Sequence, residues 1–263
     1  MMKRKMAFAD KFYPKDVYKL KSFFDTYVDK VFLEKSKKNF GMILPHAGYV
    51  YSGKTVLLTL KEALTFGKPE RVIIFGTNHS GFGKETFSVW ERGKWETPFG
   101  DLQVDEVFTK KLLEYERVSS DYSVHLYEHS IEVILPFLKY YYNDFKIVPI
   151  VYNYQNYNST LEMVEFLRSL NLEKTLIIAS SDFNHYDSHK KTLEKDELLI
   201  NEILKRNTTE FFKLGQEVSA CGIGPISVTV EYFQNVKLVY HTTSAEFSGD
   251  YNFTVGYAGF VLW

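Results

Sequence analysis

Val72-Ile73-Ile74-Phe75-Gly76-Thr77-Asn78-His79 is four β-branched or aromatic residues followed at once by a glycine and a polar tail that ends in histidine. An apolar run this short, bounded by a turn-former, reads as a buried strand. The same grammar recurs twice. Met42-Ile43-Leu44 runs into Pro45-His46-Ala47-Gly48-Tyr49, and Leu176-Ile177-Ile178-Ala179 runs into Ser180-Ser181-Asp182-Phe183-Asn184-His185. Ile147 to Val151 is a fourth run, and helical patterns over 54–66, 107–115, 130–141, 160–170, 189–205 and 226–233 lie between most of the strands. Short apolar strands alternating with helices predict an α/β fold, a mostly parallel or mixed sheet covered on both faces. Outward from this core, Pro14 precedes an amphipathic stretch, Val17, Leu20, Phe23, Phe24, Tyr27, Val28 and Val31, expected as a first helix. The run 87–97, turning at Arg92-Gly93, is expected as a β-hairpin, and 236–241 and 253–262 as closing strands.

At about 150 residues per domain, 263 residues allow one large domain or two small ones. With no linker or repeat in the sequence, a single three-layer α/β/α domain over residues 1–263 is the expectation. The 32 basic and 33 acidic side chains leave a net charge of −1, so there is no global field to draw the chain to nucleic acid or acidic lipid. The one cysteine, Cys221, excludes an intramolecular disulfide and a CxxC zinc knuckle. Met1-Met2-Lys3-Arg4-Lys5 is basic, but the apolar run behind it stops at Ala9, too short for a secretory signal. No window approaches the roughly 18 apolar residues of a membrane span. The expected location is the cytoplasm.

In open α/β sheets the ligand site lies beyond the carboxyl ends of the strands. Three runs deliver His46, His79 and His185 to that edge, with Asp182 beside the last. A single loop histidine is usually solvated or structural, but three converging with an aspartate form a set suited to zinc, iron or copper. Pro45 ends its strand and fixes the turn that carries His46, and Ser52 is expected to cap the next helix. Cys221, in Ser219-Ala220-Cys221-Gly222-Ile223-Gly224-Pro225, precedes a helix whose N-terminus favours a thiolate. As metal ligand or as small buried apolar residue, it is evenly balanced on this segment alone. His125-Leu126-Tyr127-Glu128-His129 matches the HxxEH pattern of inverzincin proteases, which requires a continuous helix and a distant carboxylate ligand. Pro136 argues instead for a helix starting near the motif, with Glu128 and His129 as polar residues at its N-terminus, beside the site or capping it.

These motifs, with Trp95-Glu96-Thr97-Pro98-Phe99-Gly100, Glu128-His129-Ser130-Ile131-Glu132 through Leu135-Pro136-Phe137, and Gly249-Asp250-Tyr251, resemble the Memo family in order and spacing from about Gly41 to Val261. Prokaryotic members are labelled protein B of the AmmeMemoRadiSam system. The resemblance implies a LigB-like fold, that of the class III extradiol dioxygenases. By that analogy His46 and His79 are metal ligands and His185 an acid/base group. The glutamate ligand of the dioxygenases gives way to Cys221, with Asp182 nearby. The resemblance makes iron (Fe2+) the expected metal, and thiolate in place of carboxylate makes the site softer, which brings in copper or zinc as alternatives.

The leading reading is a non-haem metal-dependent oxidoreductase or redox protein of unknown substrate, with His46, His79 and Cys221 holding the metal. Asp182, His185, Glu128 and His129 supply acid/base or supporting groups. An alternative is a non-catalytic binding or adaptor protein that uses the pocket for a peptide or partner protein, through Tyr49, Tyr51, Trp95 and Phe99. A third is a zinc-dependent hydrolase. The family label implies radical-SAM and AMMECR-like pathway partners. This chain carries no CxxxCxxC cluster motif of its own.

Overall fold

The computed structural model describes residues 2–30, 32–215 and 217–263. The chain opens with β1 (Lys3–Arg4), α1 (Val17–Asp25), β2 (Phe40–Leu44), α2 (Tyr49–Ala63) and β3 (Arg71–Thr77). Short elements follow: β4 (Phe87–Val89), β5 (Lys94–Trp95), β6 (Leu102–Val104), α3 (Glu106–Leu112), β7 (Val118–Ser120), α4 (Tyr122–Leu126) and α5 (Leu135–Tyr142). Next come β8 (Lys146–Tyr152), α6 (Tyr157–Ser169), β9 (Thr175–Ser180), β10 (His185–Asp187), α7 (His189–Lys205), α8 (Thr208–Leu214) and α9 (Ile223–Tyr232). The chain closes with β11 (Val236–Thr243), α10 (Ala245–Ser248) and β12 (Thr254–Leu262).

The centre of the sheet is parallel, in the order β6-β8-β3-β9-β2. It becomes antiparallel at β12, which pairs with β2 and also carries β10 and β11. Along the central strands successive side chains enter different layers. Met42, Leu44, Val72, Ile74, Leu176 and Ile178 pack with residues of α1, α2 and α5. Ile43, Ile73, Phe75, Ile177 and Ala179 pack with residues of α6, α7 and α9. Both faces are therefore buried, which is why these strands are continuous apolar runs and not an apolar–polar alternation. At roughly 1.5–3 kcal/mol per buried aliphatic side chain, this double burial fixes the strand ends from which the site is built.

Four local expectations are corrected. Helix α1 stops at Asp25, because Tyr141 Oη lies 2.9 Å from Val28 O and 3.2 Å from Phe24 O and meets the end of the helix. Val31 lies outside the described residues. The run 87–97 is not a hairpin: β4 pairs with β7 and β8, whereas β5 pairs with β1 and β6. Helix α2 begins a turn earlier than expected, with Gly48 as its N-cap, and the Ser52 hydroxyl inside it donates to Ala47 O at 2.9 Å. Residues 130–134 form successive turns ahead of α5, which starts at Leu135 with Pro136 in its first turn, where a missing N–H costs nothing. Among the described residues no helix is long and apolar enough to cross a membrane.

Candidate metal centre

The carboxyl ends of β2, β3 and β9 adjoin one another, and each hands over a different group. His46, two residues beyond β2, is fully buried, and its backbone N–H donates to Asp182 Oδ1 at 2.8 Å. Its Nδ1 lies 2.7 Å from Ser180 Oγ, whose hydroxyl donates to Ser130 O at 2.6 Å. A serine has one proton to give, so Ser180 accepts from Nδ1–H and the lone pair of His46 sits on Nε2.

His79, beyond β3, is held the same way by a carboxylate. Its backbone N–H donates to Glu128 Oε2 at 2.6 Å, and Nδ1 donates to Glu128 Oε1 at 2.9 Å. Such a carboxylate partner is the usual orienting group of a metal-binding histidine, and it leaves Nε2 as the ring nitrogen free for a ligand role. Burial pushes the Glu128 carboxyl up, but the hydrogen bond and charge of His79, together with His129 and the Ser130 N–H, outweigh it and leave the pKa at about 2. Burial likewise pulls His79 down, while Cys221 and Glu128 raise it to about 10. A divalent cation on Nε2 therefore competes with a proton.

His129 joins these two. Donor atoms of His46, His79 and His129 all lie within 4.8 Å of one another. Ring centroids are 5.1 Å apart for His46–His79, 5.1 Å for His46–His129 and 4.5 Å for His79–His129. Burial first, then the neighbouring His46 and His79, lowers His129 to a pKa of about 3 against the pull of Glu128, so its imidazole is neutral and able to ligate. The expected place for Glu128 and His129 at a helix N-terminus is corrected by the turns that separate them from α5, and it is this turn that lets His129 face the other two histidines. Gly76 makes the approach feasible: a Cβ there would stand 2.6 Å from Ile131 Cγ1 and 2.7 Å from Ser130 Oγ.

Cys221 arrives from the loop before α9. Its Sγ lies 3.4 Å from His46 Nε2 and accepts from the Asp182 backbone N–H at 3.3 Å. Burial raises its pKa, and His46 and His79 more than offset that, bringing it to about 6. With zinc-like bond lengths of about 2.3 Å to sulfur and 2.0–2.1 Å to nitrogen, the S···N edge of a tetrahedral site is about 3.5 Å. The observed 3.4 Å fits that edge. Gly222 permits the placement, since a Cβ would meet Ser181 Cβ at 2.6 Å and Ser180 O at 2.8 Å. The three clustered imidazoles, with the Cys221 thiol beside His46, are nitrogen and sulfur donors of the kind that suit a late first-row divalent ion.

The remaining sequence candidates fall around this set. Asp182 is buried and anchors the turn at His46 rather than pointing at the imidazole nitrogens. His185 stands outside the three-histidine group, at the half-buried start of β10. Its Nδ1 donates to Ser219 O at 2.8 Å, so Nε2 is left as the acceptor. His125 belongs elsewhere. It is fully buried beside Trp90 and Trp95, with Nε2 3.1 Å from Ser88 O. Because α4 ends at Leu126, the HxxEH motif has no continuous helix and the protease geometry is not formed. Of the aromatic residues expected at the surface, Tyr49 and Trp95 are core residues and Phe99 is half-buried, leaving Tyr51 exposed. Exposed Tyr186 takes a left-handed backbone with φ of 64° and stacks on exposed Phe253 at 4.9 Å.

Three orienting groups were not singled out by the sequence. Ser180 sets the His46 tautomer, Gln155 binds both Cys221 O and the Gly224 N–H, and Arg4 ties down the turn of Glu128. Only Ser180 had a positional cue, as the first residue after an apolar run.

Comparison with known proteins bears on this arrangement. A MEMO1 family protein of Saccharolobus islandicus is 39% identical over 282 residues, covering 97% of this chain and 98% of the relative. One from Pyrobaculum arsenaticum is 36% identical over 280 residues, covering 100% and 99%. One from Thermotoga neapolitana is 38% identical over 237 residues, covering 88% and 85%. Among solved structures, an uncharacterized protein from Escherichia coli K12 aligns with a TM-score of 0.56 at 12% identity, over 85% of this chain and 99% of that one, a likeness of fold. The family profile described as Memo-like protein matches residues 4–261, and with near-complete relatives at this identity the chain belongs to the Memo family.

Proposed function

We propose that this chain binds one redox-active metal ion, iron(II), through His46, His79 and Cys221, and uses it in oxidoreductase chemistry on a small substrate. The observation that carries the reading is the convergence of three histidine donor atoms within 4.8 Å, with the Cys221 sulfur 3.4 Å from one of them. His129 stands in the same sphere as a further donor. Copper or zinc would suit the same donors, and zinc would turn the reading toward hydrolysis. When bound, iron would supply one-electron chemistry at open coordination positions.

The chain's own groups have distinct tasks. Ser180 and Glu128 each fix one imidazole with Nε2 inward. Asp182 fixes the His46 backbone and, through its own N–H, the Cys221 sulfur. His185, its Nδ1 proton committed to Ser219 O, can take a proton from substrate on Nε2. The test is metal analysis of protein purified without oxygen, followed by incubation of the iron form with catechols. About one equivalent of iron and ring-opened or otherwise oxidised product are expected. Stoichiometric zinc with no redox turnover would defeat the oxidoreductase reading.

A second reading, recognition of a peptide or partner protein without turnover, draws on the exposed aromatic residues Tyr51, Tyr186 and Phe253. A peptide retained equally by wild type and by a His46→Ala, His79→Ala variant would favour it.

A further inference from the structure

We propose that Arg4 is a positioning residue of the metal centre, holding in place the turn that carries Glu128 and His129 although it touches neither the His79 nor the His129 imidazole. This rests on the metal-binding reading of the three-histidine site. Arg4 is 2% exposed and lies in the short strand β1, far from the site in sequence. Its guanidinium reaches three points along the segment 125–132, from the end of α4 into the turns before α5. Nε donates to His125 O at 2.8 Å, Nη2 donates to Glu128 O at 2.9 Å, and Nη1 pairs with the buried carboxylate of Glu132. The guanidinium carbon lies over the Trp95 ring, 4.2 Å from its centroid.

Glu132 passes the constraint on. Its carboxylate also accepts from the backbone N–H groups of Ala7 and Phe8, at 3.0 and 2.8 Å, and from Tyr13 Oη at 2.9 Å. The segment so anchored brings Phe8 and Phe12 against the His129 ring, at centroid distances of 5.6 and 4.6 Å. One cation thus governs two of the three histidines: His129 through the turn and the aromatic wall, and His79 through the Glu128 carboxylate on that turn. Every acceptor of Arg4 is a carbonyl or carboxylate of the protein, and each guanidinium nitrogen has at least one such partner.

The charge alone does not meet this requirement. Three separated acceptors and an aromatic face fit a planar fork, whereas the lysine ammonium is a point charge on a flexible stem. Arg4→Lys should therefore keep the buried ion pair with Glu132 and lose the geometry. A purely electrostatic or stabilising role would instead be rescued by lysine.

The test is Co2+ titration of the full chain, read as affinity by chelator competition and as coordination by visible ligand-field absorption. For Arg4→Lys we expect a Kd raised at least tenfold and altered ligand-field bands, in protein with unchanged circular dichroism. If Arg4→Lys folds poorly, the Arg4→Met, Glu132→Met double variant removes both buried charges at once and is read the same way. Ile203→Val, in the layer on the other face of the sheet, serves as a mildly destabilised control whose Kd and bands should match wild type. A folded Arg4 variant with wild-type Kd and wild-type bands would overturn the proposal, as would an Ile203→Val control that shows the same losses. Failure of the wild-type protein to bind Co2+ at all would remove the metal-site reading itself, which is a different outcome from retained binding in the variants.

Discussion

Because the Ser180 hydroxyl proton is directed at Ser130 O, Ser180 can only accept from His46 Nδ1, and the ring nitrogen of His46 left with a free lone pair, Nε2, is settled by this serine. Ser180→Ala leaves that imidazole free to rotate or change tautomer. We expect metal affinity to fall about 10–100-fold, the usual cost of losing such a partner, measured by competition with a chromophoric chelator. Glu128→Gln should act similarly on His79, since the amide keeps the shape but not the charge. Affinities within twofold of wild type would contradict both roles. At this scale the sequence was informative where a residue follows an apolar run, as His46 and His79 do. It was uninformative where the role depends on a turn, because the place of His129 followed from an assumed helix start near the HxxEH motif. The role of Arg4 depends on a contact across more than 120 positions, which no local pattern encodes.

The elements meet at the site through close backbone approaches, and glycine makes two of them. At Gly222 an added Cβ would collide with Ser180 O and Ser181 Cβ, atoms of a buried strand end that cannot yield easily. Gly222→Ala should cost about 1–3 kcal/mol, the range for forced overpacking, measured by urea denaturation. A change below 0.5 kcal/mol would show that the α9 loop shifts freely and that Cys221 is not held in place. The four central strands were readable because burial on both faces demands continuous apolar runs in the sequence. The hairpin expected over 87–97 failed for a physical reason. A turn signal at Arg92-Gly93 is local, whereas β4 finds its partners in β7 and β8 and β5 finds its own in β1 and β6.

Across the molecule, pH stability carries the signature of a histidine that the site does not use. His125 is fully buried, and burial first, then the Arg4 charge, lowers its pKa from 6.5 to about 3. Between those values the unfolded chain binds the proton and the folded chain does not, so this group makes stability rise with pH from about 3 to about 6.5. Its share of the slope reaches about 1.4 kcal/mol per pH unit inside that window. A folded His125→Gln variant should show a shallower dependence between pH 4 and 6, followed by urea denaturation at each pH. An identical slope would place the proton elsewhere. The two-layer covering of the sheet was readable from the alternation of strands and helices. The antiparallel flank that β12 builds with β10, β11 and β2 was not, because strand pairing order is a tertiary property.

The most direct test of the account is an anomalous-scattering map of crystals grown from protein purified without oxygen, recorded at the iron, copper and zinc edges. The account predicts one peak, at the iron edge, bonded to Nε2 of both His46 and His79 and to the Cys221 sulfur, at roughly 2.0–2.3 Å. It also predicts that the peak vanishes in the His46→Ala, His79→Ala variant. A peak that persists in that variant, or a metal bound elsewhere on the chain while these side chains keep only their mutual hydrogen bonds, would contradict it.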